Sequence, residues 1–574
     1  MMRISSLNRF FSALFNKDYF KNVCRSILLL NNCSYNIETV TFVGMQHKPV
    51  PIFSTGRFSK LMEDYVNEDS KLRPLYNRPH KRSSYEAQLQ EKSQHLVDRA
   101  LLAEVLTDQY ASLDIAKRYP LVHEAIDQLA LPESFTVTTG HQVCLFTGPL
   151  YFIYKIVNTI RLAEELTESL KKPVLPIFWM ATEDHDFEEV NHVWYGDIKY
   201  RWERPFGGGV GRMNTDGVEE VVDQLQHAVG ESPSANELLD LFRRCYRPGN
   251  SLAQATRELA TSLFGHKGLI VLDADDARLK SKMTGYFKDE LLNRSSSEII
   301  EPASQVLNEY YFTQVNPREI NLFYLNNETR YRLDIEDGVF KTVDGPYTWS
   351  AEEITAELEQ FPERFSPNVI LRPLYQEVIL PNLAYIGGGG ELAYWLQLKP
   401  LFDRHMVPFP ILRLRNSVGF MRRKFVHKME SLNLSLQDIC EPVFEQRRNH
   451  FKKELELNGQ IDSLKAEASV LFQQMHELAD KIDPTLKGTA EAYNARQTHL
   501  IENFEKKILR AIQRRESEVS RMFDEIHAEA FPSGGLQERR DTYLTLVERF
   551  GGGVMNILFD EIDPFAHDFS WFIE

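Results

Sequence analysis

The sequence has few cysteines and no long apolar run, and each shortage excludes a class of protein. Its five cysteines among 574 residues form no CxxC pair, which excludes a disulfide-stapled scaffold and favours a reducing cytoplasm. No run of about 18 apolar residues occurs, so no membrane span is expected. Acidic residues outnumber basic ones, 82 to 66. With a net charge of −16, the chain lacks the positive surface that a general nucleic-acid binder needs.

The first informative segment, residues 135–166, has the pattern of a strand, a glycine-punctuated loop and a helix. Open α/β sheets bind ligands beyond the carboxyl ends of their strands. The helix is expected to open at Gly148-Pro149. Its start adds unpaired N–H groups that stabilise a phosphate or carboxylate, and Lys155, about two turns along, reaches toward the same anion. The alternative is an ordinary helix start and a surface lysine. The candidate ligand-binding residues of the loop are Gly140, His141, Gln142, Thr147, Gly148 and Pro149.

A second strand, in PIFWMAT, leads into a turn of four titratable residues. These groups repel one another unless a cation joins them, and a substrate ammonium, Mg²⁺ or a basic side chain would serve. Carboxylates around a histidine also permit proton transfer near neutral pH. The alternative is an acidic N-terminal cap on the next helix. No metal site is predicted, because the spacing from His185 to His192 does not resemble HExxH. The catalytic candidates are Glu183, Asp184, His185 and Asp186.

A third turn at a strand end, formed by glycines, follows the strand in LAYIGGGGELAYW. The segment GLIVLDADD predicts a further buried strand. Consecutive glycines permit close backbone approach to a phosphate or carboxylate. A carboxylate there can bind a sugar hydroxyl, and the aromatic residues offer a flat surface for a ring, although core packing is their commoner role. The candidates are Gly387, Gly388, Gly389, Gly390, Glu391, Tyr394 and Trp395. We interpret PFGGGVGRM as a flexible turn, and the likeness of LKSKMTG to a KMSKS loop as coincidence.

The clearest periodicity lies near the C-terminus, where apolar residues recur at alternating steps of four and three. This spacing predicts a coiled-coil seam. Asp483 and Pro484 predict the start of a second helix. Dimerisation is the expected use of such an arm. The seam residues are Leu457, Ile461, Leu464, Ala468, Leu471, Met475, Leu478 and Ile482.

Several long motifs together resemble a known family, the bacillithiol biosynthesis cysteine ligases called BshC. They are TTGHQVCLFTGPLYFIYKI, PIFWMATEDHDFEEVN, ERFSPNVILRPLYQEVILPNLAYIGGGGELAYW and the helical hairpin, and the match runs from about Pro51 to the C-terminus. The chain departs from the family in two places. It has His141 where related sequences often have Gln, so hydrogen bonding to a ligand is the role expected of this histidine. It reads Gly388-Gly389-Gly390-Glu391 where they often read Gly-Pro-Gly-Glu, which predicts a looser turn.

The resemblance implies an α/β fold. Its Rossmann-like core would resemble class I aminoacyl-tRNA synthetases and nucleotidyltransferases, with two inserted connective domains and a C-terminal antiparallel α-helical coiled coil. A homodimer through the coiled coil is also implied. The expected segments are an extension at 1–44, core at 45–196, insertion at 197–265, core at 266–293, insertion at 294–375, core at 376–439, coiled-coil hairpin at 440–530 and a return to the core at 531–574.

The same resemblance implies an activity: a ligase that forms an amide bond between L-cysteine and glucosaminyl malate. ATP or another nucleotide is the expected cosubstrate, and Mg²⁺ is a further candidate. The expected partners are these small molecules and a second copy of the chain, with no nucleic acid and no membrane, in the cytoplasm. Two alternatives stay open. One is a nucleotidyltransferase acting on another small substrate, and the other is a non-catalytic nucleotide-binding coiled-coil scaffold.

Overall fold

The computed structural model describes residues 45–326, 329–454, 457–515 and 517–574, so the predicted extension at 1–44 lies outside it. The strands are β1 (Gln46–Pro51), β2 (Phe135–His141), β3 (Val174–Met180), β4 (His192–Tyr195), β5 (Ile198–Arg201), β6 (Ile270–Asp273), β7 (Leu322–Leu325), β8 (Arg330–Glu336), β9 (Val339–Thr342), β10 (Thr348–Trp349), β11 (Phe365–Pro367), β12 (Asn382–Gly387), β13 (Ile411–Leu414), β14 (Ser417–Met421) and β15 (Asp568–Ile573).

Short 3-10 turns join many of the helices. The α-helices are α1 (Lys60–Val66), α2 (Tyr85–Ser93), α3 (Arg99–Gln109), α4 (Ile115–Arg118), α5 (Pro120–Leu129), α6 (Tyr151–Leu170), α7 (Phe187–Val190), α8 (Val218–Val229), α9 (Pro233–Cys245), α10 (Leu252–Phe264), α11 (Ala277–Lys280), α12 (Thr284–Asn293), α13 (Ser296–Tyr310), α14 (Ala351–Gln360), α15 (Leu371–Ile379), α16 (Gly389–Trp395), α17 (Lys399–Arg404), α18 (Arg423–Ser431), α19 (Val443–Glu454), α20 (Leu457–Ile482), α21 (Lys487–Arg515), α22 (Ser517–Ala530), α23 (Tyr543–Phe550) and α24 (Val554–Glu561).

A parallel sheet of five strands, ordered β6-β3-β2-β12-β13, forms the centre of the protein. Its strands are buried almost throughout, which explains why they read as continuous apolar runs rather than alternating ones. In chain order the strands lie 3-2-1-4-5, so the winding reverses between β2 and β12. Such a reversal leaves a crevice at the carboxyl ends of the two strands.

Additional elements interrupt this core at two places. Between β3 and β6 the chain forms the hairpin β4-β5 and the helices α8, α9 and α10. Between β6 and β12 it forms the sheet β10-β9-β8-β7-β11, whose strand pairs are all antiparallel. Leu325 of β7 pairs with Arg330 of β8, so the two strands form a hairpin near Asn326. The predicted domain boundaries themselves stay predictions.

The C-terminal segment ends in a separate three-stranded sheet, ordered β1-β15-β14, rather than in the central one. Before it, the helices α20 and α21 pack along each other, with Asp483 capping the turn between them. The ion pairs that join them are Lys465–Glu505, His476–Glu491 and Asp480–Lys487. Within the described residues, no helix is both long and apolar enough to cross a membrane.

The predicted seam does not form the contact between these two helices. Within 462–482, the part of α20 whose side chains the structure describes, Phe472 is the buried residue, and it lies one position beyond the predicted seam residue Leu471. Ala468 is partly buried, and the side chains of Leu457 and Ile461 lie outside the described residues. The exposed seam residues, with 39 to 70% of their surface accessible, are Leu464, Leu471, Met475, Leu478 and Ile482. The heptad pattern therefore marks an apolar face that the hairpin leaves uncovered.

Candidate active site

A cavity of about 680 Å³ opens at the carboxyl edge of the central sheet, where the winding reverses. The turns after β2, β3 and β12 form its floor and sides. Phe323 of β7 and Arg330 of β8 contribute a further wall, so the antiparallel sheet adjoins the core at this point. The cavity thus lies where the fold class places ligands.

The turn after β2 contributes a neutral histidine. Burial, followed by the charge of Lys155, lowers the pKa of His141 to about 3. Nδ1 of His141 lies 2.8 Å from the backbone carbonyl of Gln142, which can only accept, so Nδ1 carries the proton. Nε2 is then left as a hydrogen-bond acceptor. Cys144 lies beneath this turn, and burial raises the pKa of its thiol well above the usual value, so it is not a thiolate nucleophile.

Lys155 does not reach out to an anion. Its buried ammonium donates to the carbonyl of Gly140 at 2.8 Å and pairs with the carboxylate of Glu391 at 2.5 Å. Glu391 also accepts from Tyr385 Oη at 2.6 Å and from the backbone N–H of Gly388 at 2.8 Å. Burial opposes the ionisation of Glu391, but Lys155 and these donors lower its pKa below the usual value. The pair therefore ties α6 to the glycine turn after β12.

The turn after β3 is held by cationic side chains. Lys280 of α11 bonds to Glu183, and Arg330 Nη1 lies 3.3 Å from Asp184 Oδ1 and 3.2 Å from His185 Nδ1. Asp184 also accepts from Gln142 Nε2 at 2.6 Å. Burial disfavours the charged form of Asp184, yet the hydrogen bonds from His185 and Gln142 and the charge of Arg330 hold its pKa well below the usual range.

A buried charge cluster extends behind Glu183. Lys280 Nζ is fully buried and also donates to Asp275 Oδ1 at 2.9 Å, while Arg212 Nε donates to Asp275 Oδ2 at 2.6 Å. Burial opposes the ionisation of Asp275, but these two cations lower its pKa to about 2. The predicted flexible turn PFGGGVGRM is instead packed here, because the N–H of Gly211 donates to the carbonyl of Thr182 and a Cβ at Gly211 would lie 2.4 Å from Thr182 Cβ.

Comparison with known proteins places the chain in a family. A model described as "Bacillithiol biosynthesis BshC, N-terminal Rossmann-like domain" matches residues 45–416, and a second, for the C-terminal coiled-coil domain, matches 418–573. The chain belongs to the BshC family. The boundary between the two BshC matches falls at Ser417, the first residue of β14. Apart from Arg539, the cavity is lined by the Rossmann-like part.

The BshC relatives are similar along most of their length. A protein of Flavobacterium johnsoniae named "Putative cysteine ligase BshC" is 39% identical over 528 residues, which cover 90% of this chain and 98% of the relative. Proteins of the same name are 32% identical in Cytophaga hutchinsonii, covering 88% and 95%, and 28% identical in Bacillus licheniformis, covering 85% and 93%.

Most of the residues predicted from the sequence line the cavity. These are Gly140, His141, Gln142, Lys155, Glu183, Asp184, His185, Gly388, Gly389, Gly390, Glu391 and Tyr394. Six do not line it, namely Thr147, Gly148, Pro149, Asp186, Gly387 and Trp395. Their predicted roles in a BshC binding site stay predictions.

The local structure explains why these residues lie outside the lining of the cavity. The helix α6 begins at Tyr151 rather than at Gly148, and the N–H of Leu150 donates to the carbonyl of Asp541. Asp186 caps α7 through the N–H of Glu189, as the alternative interpretation had it. Gly387 ends β12, and a Cβ there would lie 2.6 Å from Leu392. Trp395 is fully buried and stacks on Tyr385.

Sequence reasoning missed the residues that the inserted elements and neighbouring helices bring to the cavity. These are Tyr151, Glu189, Arg318, Phe323, Arg330 and Arg372. Tyr151, Glu189 and Arg372 lie within the motifs that carry the family resemblance. Arg318, Phe323 and Arg330 lie outside those motifs. The arginines lie far from the glycine and acidic turns in sequence, and only the topology of the sheet brings them together.

Proposed function

We propose that this chain is a ligase of bacillithiol biosynthesis that joins the carboxyl group of L-cysteine to the amine of glucosaminyl malate. One observation carries the proposal: in a BshC-family chain, the cavity at the winding reversal is lined by both acidic and basic side chains. An acceptor amine needs a carboxylate to bind and deprotonate it, and anionic substrates need cations.

Amide formation from a free carboxylate is uphill in water, so the cysteine carboxyl must first be activated as an adenylate or an acyl phosphate. We expect ATP to supply this activation, with Mg²⁺ accompanying its phosphates. The glycine turns support nucleotide binding in this cavity. At Gly140 and Gly390 an added Cβ would meet no protein atom closer than 3.6 Å, so packing does not require glycine at either position. Arg318 and Arg539 line the cavity as exposed partners for phosphate oxygens.

Glu189 is the carboxylate best suited to take a proton from the acceptor ammonium. Burial and the charges of Asp184 and Asp186 raise its pKa, which brings it closer to the working pH. Glu183 is occupied by Lys280, so it suits a positioning role for the turn. Asp184 and His185 then orient the acceptor beside Arg330.

The finer fold assignments belong to the same proposal. The strand order with two interruptions supports a relationship to class I aminoacyl-tRNA synthetases and nucleotidyltransferases. The ion pairs along α20 and α21 support an antiparallel coiled coil. The uncovered apolar face of α20 supports a homodimer. The described cysteines, Cys144, Cys245 and Cys440, are free and buried, in keeping with a reducing cytoplasm.

The direct test is incubation of the purified protein with ATP, L-cysteine and glucosaminyl malate, with the product followed by mass. Asp184→Asn and His185→Ala should both abolish ligation. His185→Ala should shift thermal unfolding by little, because an exposed group at the rim of a crevice contributes little to the core, whereas Asp184→Asn should also lower stability because it removes the carboxylate partner of Arg330. Glu188→Gln, an exposed neighbour paired with Arg201, is the control and should retain activity. Nucleotide binding without product would instead support the scaffold.

A further inference from the structure

Arg372, at the start of α15, is partly exposed and places a guanidinium cation in the lining of the cavity. Its Nη1 donates to Gln376 Oε1 at 3.1 Å. Its Nη2 is shielded from solvent, and the guanidinium also interacts with the hydroxyl of Tyr394. The rings of Trp179, Tyr385 and Trp395 surround the guanidinium, with centroids 5.8, 5.7 and 6.0 Å from Cζ. These rings keep water away from one side of the group.

The other shielded cations of the cavity have carboxylate partners. Lys155 pairs with Glu391, Arg330 with Asp184 and Arg415 with Glu538. Within the described part of the chain, no carboxylate oxygen lies within 4.0 Å of the Arg372 guanidinium. A cation in a largely buried site without a carboxylate partner costs free energy, and a bound ligand anion reduces that cost. Arg318 and Arg539 need no such partner, because they are exposed.

We propose that Arg372 is a carboxylate-binding residue of this cavity and that it holds a carboxylate of the malate portion of the acceptor substrate. The inference rests on the proposed function for the identity of the acceptor. The carboxylate of cysteine is consumed in the reaction, whereas a malate carboxylate stays ionised throughout and can remain bound. A guanidinium donates in the plane of a carboxylate, and aromatic walls strengthen such a bond by excluding water. A nucleotide phosphate is the other oxyanion that this group can bind.

The first test measures binding rather than catalysis. L-malate is titrated calorimetrically into the wild-type protein, Arg372→Gln, Arg372→Lys and the control Arg243→Gln, whose exposed arginine pairs with Asp223 far from the cavity. Arg372→Gln should raise the Kd for malate about 10- to 100-fold, as expected when a charged hydrogen bond is lost. Arg372→Lys should restore part of the affinity, and Arg243→Gln should match the wild type.

A comparison of two ligands tests whether Arg372 binds the carboxylates of malate rather than the rest of the molecule. Malamide, the uncharged diamide of malate, should bind the wild type more weakly than malate by about the factor that Arg372→Gln produces, and Arg372→Gln should no longer discriminate between the two. Thermal unfolding adds an independent readout. Without ligand, Arg372→Gln should be at least as stable as the wild type, because it removes a largely buried cation that has no carboxylate partner. A structural role for Arg372 among the rings predicts the opposite, a less stable variant.

Steady-state kinetics and ATP titrations decide which oxyanion is bound. Arg372→Gln should raise KM for glucosaminyl malate about 10- to 100-fold and leave KM for ATP and cysteine near the wild-type values. Weaker ATP binding with unchanged malate binding would assign Arg372 to a phosphate and overturn the proposal. Equal malate affinity in wild type and variant, or no malate binding by the wild type, would also overturn it. If the wild type binds malate through Arg372 but makes no product, only the proposed ligase function fails.

Discussion

Lys280 shows how the charges behind the cavity are balanced. Its ammonium is fully buried, yet it lies between the carboxylates of Glu183 and Asp275 and also donates to the carbonyl of Glu363. Burial alone would lower its pKa, but Glu183 and Asp275 raise it above the usual value. The lysine therefore stays charged and fixes the turn that carries Asp184 and His185.

Removal of Lys280 should lower the free energy of unfolding far more than removal of the nearby Lys282. Lys280→Met leaves two carboxylates buried without their common partner, and we expect a loss of about 3–5 kcal/mol in the free energy of unfolding. Lys282→Met removes an exposed pair with Asp98 and should cost no more than about 1 kcal/mol. Urea unfolding of both variants measures the difference. Similar small losses in both would show that Glu183 and Asp275 do not depend on Lys280.

At the scale of elements, the strands and turns were largely predictable and the contacts between them were not. The apolar runs located β2, β3, β6 and β12, because strands buried on both faces carry a continuous signal. The same reasoning placed the helix start at Gly148 and Pro149. It failed there because Leu150 donates to Asp541, a residue hundreds of positions later. Likewise Arg330 reaches Asp184 through the pairing of an inserted sheet, which no local pattern encodes.

The uncovered face of α20 predicts an oligomer. Leu464→Asp together with Leu471→Asp would place unpaired charge in a desolvated interface, at a cost of several kcal/mol, and should convert the expected homodimer to a monomer. The control is Ala466→Asp with Gln473→Asp, which adds the same charge on another exposed face of the helix. Light scattering gives the mass of each variant. An unchanged dimer in the first variant would place the interface elsewhere.

At the scale of the whole molecule, a buried cluster joins segments from opposite ends of the described chain. Arg413 of β13 donates to the backbone carbonyls of Pro564 and Ala566 and to that of His80, and its Nη1 lies 3.1 Å from His567 Nε2. The two imidazole rings pack edge to face with centroids 4.6 Å apart. Burial, followed by the charge of Arg413, lowers the pKa of both His80 and His567 to about 3. Both histidines are therefore neutral in the folded protein.

This cluster should make the protein sensitive to acid. The unfolded histidines have a pKa of about 6.5, so their contribution to stability is complete above that pH and is lost as the pH falls toward 3. Each histidine can remove up to about 1.4 kcal/mol per pH unit in this range. His567→Asn should therefore flatten the fall in unfolding free energy between about pH 6.5 and pH 5, as measured by urea titration. The carboxylates titrate alike in both proteins, so the difference in slope reports the histidine, and equal slopes would show that His567 is not held neutral.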